Sequence, residues 1–103
     1  DLGMYTIQLS ELIIPDKFEL KEPFPNPFNP ATTIGFSIPQ ESTVKISIVD
    51  LQGRTVADIL DNNSLEEGYH SVIWNAAEAA SGIYFVEMHT ENYHSMKKLM
   101  LVK

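Results

Sequence analysis

The sequence predicts an all-β protein, an antiparallel β-sandwich of six to seven short strands. Three observations carry that expectation. Apolar and polar residues alternate with a period of two in one short run after another, turn-forming residues separate the runs, and no long stretch repeats apolar residues at helical spacing. The spacing of the runs is that of an immunoglobulin-like domain, although the chain has no cysteine and so lacks the paired cysteines of true immunoglobulin domains.

Size and composition agree with this reading. The 103 residues suit one domain, or one domain plus a tail. Folding a chain of this length buries roughly 65% of the surface that the unfolded chain exposes, enough for a modest core. With 44% hydrophobic and 20% charged residues, the chain has the balance of an ordinary soluble domain and not that of a disordered one. Its 14 acidic and 7 basic residues give a formal charge of −7, a field that argues against nucleic acid as a partner. The absence of cysteine excludes disulfides, thiolate catalysis and cysteine-held metal centres. No apolar run approaches the roughly 20 residues of a spanning helix, and the start lacks the basic and apolar regions of a secretory signal. Because it opens on Asp1-Leu2-Gly3 without Met, the chain is expected to be a piece of something longer, with any export signal upstream.

All 6 prolines fall in the first 39 residues, which divides the chain. Residues 1–14 are expected to be the end of a preceding region or an N-terminal strand, with 4–9 as its candidate. Residues 15–31 read as a proline-rich connector and core plug, and 32–103 as the sandwich. In the connector, Phe18 and Leu20 are available to dock on a neighbouring surface. The segment Pro23-Phe24-Pro25-Asn26-Pro27-Phe28-Asn29-Pro30 cannot be helical, because each residue before a proline is pushed out of the helical region; extended steps alternating with Asn-centred turns are expected. Phe28 is expected to plug one end of the core, worth ~1.5–3 kcal/mol if fully buried.

The strands follow in order. Residues 32–38 put Ile34, Phe36 and Ile38 on one face, and 43–49 put Val44, Ile46 and Ile48 inward. Asp50-Leu51-Gln52-Gly53 is a turn, with Gly53 suited to positive φ. Residues 54–60 make a less regular strand in which Val56 and either Ile59 or Leu60 point inward, followed by a polar loop over 61–68. Residues 69–74 align His70, Val72 and Trp74 on one face, and 75–80 are too short for more than a single helical turn. In 83–89, Tyr84, Val86 and Met88 alternate with Ile83, Phe85 and Glu87. A hairpin connection over 90–93 leads to the last strand, about 94–102, with Leu99 and Leu101 on one face.

Catalytic constellations are missing. Ser71 and Ser81 have no nucleophile-elbow context, Glu66-Glu67 is an ordinary solvated pair, and the five glycines are isolated, so no phosphate cradle exists. The stretch from Asp61 to Glu66 mimics the start of a calcium loop but has Leu65 and Glu66 where a ligand and a sharp-turn glycine are needed. Asn62-Asn63-Ser64 matches a glycosylation acceptor, a match common by chance. His89 and His94 flank the last hairpin, with Glu91 the nearby carboxylate; solvated side chains at a hairpin tip are the simpler expectation, so no metal or other cofactor is assigned. His70 is expected to make one structural hydrogen bond.

The landmarks together resemble a known family. Phe24-Pro25-Asn26-Pro27-Phe28-Asn29-Pro30-Ala31-Thr32-Thr33-Ile34 is similar to the Tyr-Pro-Asn-Pro-Phe-Asn-Pro-x-Thr-x-Ile signature that opens the type A C-terminal sorting domain of type IX secretion cargo. Phe36-Ser37-Ile38-Pro39 and Val44-Lys45-Ile46-Ser47-Ile48-Val49-Asp50 resemble its first strands. Gly53-Arg54-Thr55-Val56, Gly68-Tyr69-His70-Ser71-Val72-Ile73-Trp74, Ser81-Gly82-Ile83-Tyr84-Phe85 and the terminal Lys98-Leu99-Met100-Leu101-Val102-Lys103 resemble its later landmarks, in order. The likeness spans residues 18–103. Two departures stand out: Trp74-Asn75-Ala76 replaces the family's Trp-Asp-Gly ahead of a shortened loop, and Leu99 replaces a Met.

The resemblance implies an immunoglobulin-like sandwich, similar also to that of the flagellar hook-capping protein, acting as a noncatalytic signal that directs an attached cargo across the outer membrane to the cell surface or medium. Its implied partners are the type IX secretion apparatus, the machinery that processes C-terminal signals, the upstream cargo and, after cleavage, surface lipopolysaccharide. Recognition is expected at the terminal strand, where Lys97, Lys98 and Lys103 gather three of the chain's seven basic residues, with Met100 beside them. Pro25, Asn26, Pro27, Phe28, Asn29, Pro30, Gly53, Trp74, Gly82, Leu99 and Leu101 are the expected structural residues. The alternatives are a structural or assembly module, or a carbohydrate- or surface-binding accessory domain presenting Tyr5, Phe24, Tyr69 or Tyr93.

Overall fold

The computed structural model describes residues 14–103; the candidate strand at 4–9 and Tyr5 lie outside the described residues. Seven strands run in order: β1 (Glu19–Leu20), β2 (Ala31–Ile38), β3 (Ser42–Asp50), β4 (Thr55–Leu65), β5 (Gly68–Asn75), β6 (Gly82–His89) and β7 (His94–Leu101). They form a three-stranded sheet, β1-β2-β5, and a four-stranded sheet, β4-β3-β6-β7, with every neighbouring pair antiparallel. Hairpins join β3 to β4 and β6 to β7, while the chain crosses between sheets after β2, β4 and β5. This is the connectivity of an immunoglobulin-like sandwich.

The period-two pattern explains the core. Ile34, Phe36 and Ile38 of β2 face Val44, Ile46 and Ile48 of β3 and Tyr84, Val86 and Met88 of β6, all buried, with Leu99 and Leu101 of β7 completing the layer. Trp74 of β5 lies among them and packs edge-on to Tyr84, ring centroids 5.3 Å apart. Phe28 is 2% exposed and meets Trp74 at 5.6 Å, so the proline-flanked phenylalanine does plug the core. Phe24, by contrast, is 78% exposed.

Two segments differ from the sequence expectation. The stretch expected to be a connector contributes β1, which pairs with Phe36 and Ser37 and sends Leu20 into the core; Phe18 stacks on Tyr93 with ring centroids 5.6 Å apart. A two-residue strand leaves too little alternation to register as a period. The expected polar loop after residue 60 is strand through Leu65. The cause is a series of bulges. Ser47 pairs with Asp58 but Ile46 with Leu60, leaving Ile59 extra, and Ile48 pairs with Ala57 but Val49 with Thr55, leaving Val56 extra. A third irregularity lies between the Val44–Asn63 and Ile46–Leu60 pairs, where Asn62 takes φ 58°. Each bulge resets the alternation, so Ile59 and Leu60 both pack against the core while Val56, expected inward, is 44% exposed. The calcium-like positions 61–65 are therefore extended along a ladder instead of wrapped around a centre.

The turns obey local chemistry. Gly53 has φ 83° and donates its N–H to the Asp50 carbonyl, closing the β3–β4 turn. Within that turn the backbone N–H of Arg54, opposed by a desolvation effect and helped by the Arg54 guanidinium and the Gln52 N–H, holds the Asp50 carboxylate below its usual range. His70 shares its face with Val72 and Trp74 as expected; it stacks on Phe36 and its Nε2 lies 2.8 Å from the Glu66 carbonyl oxygen. Residues 76–79 make one turn, closed by Ala79 N–H to the Ala76 carbonyl.

Candidate functional site

β7 is an edge strand, and its two faces have separate tasks. Leu99 and Leu101 are 0% and 1% exposed and fix the strand on the core. The alternate residues Met96, Lys98 and Met100 lie on the outer face, opposite Glu87, Phe85 and Ile83 of β6. Lys98 is exposed and makes no ion pair with a described residue; Met96 is 44% exposed and Met100 half-buried.

Among the described residues, the outer edge of β7 is open along one half and closed along the other. Phe28 N–H donates to the Met100 carbonyl at 2.9 Å and the Val102 N–H to the Phe28 carbonyl at 3.1 Å, forming a short parallel bridge. One residue pair further back, the Asn26 side chain takes over: its Nδ2 donates to the Lys98 carbonyl at 2.8 Å and its Oδ1 accepts the Met100 N–H at 3.0 Å. The amide does what the backbone of a neighbouring strand would do. Alternation along β7 then directs the N–H groups of Met96 and Lys98 to the same edge, and no described residue bonds them.

The proline motif is itself held in place. Thr32 Oγ1 donates to the Pro25 carbonyl, Ala76 N–H donates to the Pro30 carbonyl, and Phe24 exchanges both backbone bonds with Thr33. Asn29 and Pro27 are exposed within it. The Phe24–Pro25, Asn26–Pro27 and Asn29–Pro30 peptide bonds are cis. Gly82 pairs with Leu101 at the start of β6 and has open space where a Cβ would stand; its φ of 154°, and not close packing, is what favours glycine there.

The structure does not gather the four expected recognition residues on one surface. Lys98 and Met100 share the outer face. Lys97 falls on the opposite face, by the pleat, and its Nζ lies 3.1 Å from Glu22 Oε1. Lys103 is tied down twice, by its N–H to Ser81 Oγ at 3.0 Å and by its Nζ to the Ala77 carbonyl at 2.6 Å. The basic strip foreseen from residue order is thus split by the period of the strand.

Sequence reasoning missed Asn26 as the edge clamp, since its partners are 72 and 74 residues away. It also paired His89 and His94 with the wrong carboxylate: the one drawn beside them is Glu87, which shares the outward face of β6 with His89 two residues on. That parity was available in the sequence. Among the described residues no aromatic platform is assembled. Tyr93 is stacked under Phe18 and its hydroxyl accepts the Leu20 N–H, while Phe24 and Tyr69 sit opposite Thr33 and Ser37, about 13 Å apart along β2.

A protein-family model described as the secretion system C-terminal sorting domain matches residues 22–103, a span that runs from the proline motif through the last strand. No curated protein and no solved structure is significantly similar to the chain. The match covers most of the chain and includes both the clamp and the strand it closes. The chain belongs to the family of secretion system C-terminal sorting domains, noncatalytic in general, which serve as sorting signals for type IX secretion cargo bound for the cell surface or the medium.

Proposed function

We propose that the secretion machinery reads this domain at the outer face and open edge of β7, with Lys98 and Met100 as the contacting side chains and Met96 beside them. The observation that carries the reading is the half-clamped edge. Asn26 and Phe28 hold the end of the strand in register, while the N–H groups of Met96 and Lys98, which no described residue bonds, are left to pair with an added strand. Ile83, Phe85 and Met100 supply a partly exposed apolar strip beneath, and the Lys98 ammonium, which no described residue pairs, steers an acidic partner. Lys97 and Lys103 act in this scheme as ties within the domain.

On the same reading the domain has no chemistry of its own. The attached cargo passes from the periplasm across the outer membrane, the signal is removed by the processing machinery, and the cargo is released or transferred to surface lipopolysaccharide. Phe28, Trp74, Leu99 and Leu101 keep the sandwich closed and do not touch the receptor.

The test is export of a periplasm-delivered reporter fused to residues 15–103 in a host with the secretion system. The wild-type fusion reaches the medium or the cell surface. A double variant, Met96→Glu with Lys98→Glu, keeps the core intact because both side chains point outward, and should leave the reporter in the periplasm. Deleting 97–103 should also strand it, but that change removes Leu99 and Leu101 as well, so the double variant decides. Export of the double variant at the wild-type level would rule out the proposed face.

A further inference from the structure

The terminal hairpin carries a second constellation, at the far end of the same outer face, where Glu87 lies opposite Met96. His89 and His94 stand directly opposite each other at the end of β6 and β7, and their rings stack with centroids 4.0 Å apart. Glu87 projects from the same face, its Oε2 3.9 Å from His94 Nε2. One ligand atom from each of the three lies within 4.8 Å of the other two, the only such group among the described residues. The connection between the strands is itself fixed, by Thr90 N–H to the Tyr93 carbonyl at 2.8 Å and Asn92 N–H to Thr90 Oγ1 at 3.2 Å.

We infer that Glu87, His89 and His94 form a binding site for a divalent metal ion of the zinc class. Two imidazole nitrogens and one carboxylate oxygen are the donors that borderline ions prefer, whereas calcium and magnesium want oxygen alone. A tetrahedral ion with bonds of about 2.0–2.1 Å keeps its ligand atoms roughly 3.3 Å apart. The three side chains therefore have to close by up to about 1.5 Å, within the rotamer freedom of a partly exposed surface where the His94 side chain is 53% accessible and that of Glu87 24%.

The surroundings define the kind of site. Lys45 of β3 pairs with His89 from the other side and places a positive charge nearby, while Glu91 lines the adjoining cleft of about 580 Å³. Three protein ligands leave a fourth position to water or to a donor on another molecule, so the ion is exchangeable and not sealed in. Bound there, it joins the last residue of β6 to the first of β7 and pins the hairpin at the end remote from the Asn26 clamp.

The experiment is a calorimetric titration of the untagged chain with Zn²⁺, with Co²⁺ as a visible probe of tetrahedral geometry and thermal unfolding followed in parallel. One ion should bind per chain and raise the unfolding midpoint. His89→Ala, His94→Ala and Glu87→Gln should each weaken binding by about tenfold or more, and His70→Ala, away from the site, should leave it unchanged. All four positions are partly or fully exposed, and matching circular dichroism spectra confirm that the variants are folded. Absence of one-to-one binding, or wild-type affinity in any of the three site variants, overturns the assignment.

Discussion

Asn26 shows how one side chain can stand in for a strand. Its amide has an acceptor and a donor at the spacing of a peptide unit, and the two bonds it makes to β7, at 2.8 and 3.0 Å, satisfy the Lys98 carbonyl and the Met100 N–H together. Asn26 is solvent-exposed, so its loss costs the net worth of two hydrogen bonds, while loss of Phe28 leaves a cavity against Trp74. Chemical denaturation should therefore find Asn26→Ala less stable by about 1–2 kcal/mol and Phe28→Ala by about 3–5 kcal/mol. Equal stability of wild type and Asn26→Ala would mean that the clamp is a geometric coincidence. At this scale the sequence is half legible. An apolar ring between prolines has to go somewhere dry, which makes Phe28 readable, whereas a polar side chain whose partners lie more than 70 residues away leaves no local trace.

Between residue and fold, the elements show where pattern reading succeeds and where it fails. In β2, β3, β6 and β7 the core-facing residues recur at every second position, and the strand positions follow from the sequence to within a residue or two, although Ser37, Ser47 and Val49 on the other face of β2 and β3 are buried as well. In β4 they do not, because its bulges reset the parity near Val56, at Ile59 and again near Asn62; a strand with three resets reads as a weak strand followed by a polar loop. The edge position of β4 tolerates this. The β3–β4 turn is more regular, and its Asp50 carboxylate gives the element a pH dependence. The folded carboxyl is held below its ordinary value of 3.8, so its contribution is present above the unfolded value and is lost as pH falls through the folded one. The stability difference between wild type and Asp50→Asn should accordingly shrink as pH is lowered below 3.8. A difference that stays constant from about pH 6 to about pH 2 would show that the charge of Asp50 does not stabilise the turn.

For the whole molecule, the separation of tasks matters more than any one contact. The sandwich uses the inner side chains of β7 to close its core, uses the proline motif to hold the far end of that strand, and leaves the Met96 and Lys98 N–H groups of the near half without a hydrogen-bond partner among the described residues. Family membership and sandwich class were both readable from ordered landmarks, since turns, alternation and the proline motif are local. The distribution of the three C-terminal lysines was not, because adjacent positions in a strand point to opposite faces and Lys103 folds back onto the loop after β5. The central claim is that β7 is an edge strand clamped at one half and open at the other. Residue-resolved amide hydrogen exchange tests it most directly. The Met100 and Val102 amides should be protected, those of Met96 and Lys98 should exchange rapidly, and Asn26→Ala should release Met100 without affecting Met96; strong protection of Met96 and Lys98, or Met100 protection that survives the loss of Asn26, would contradict it.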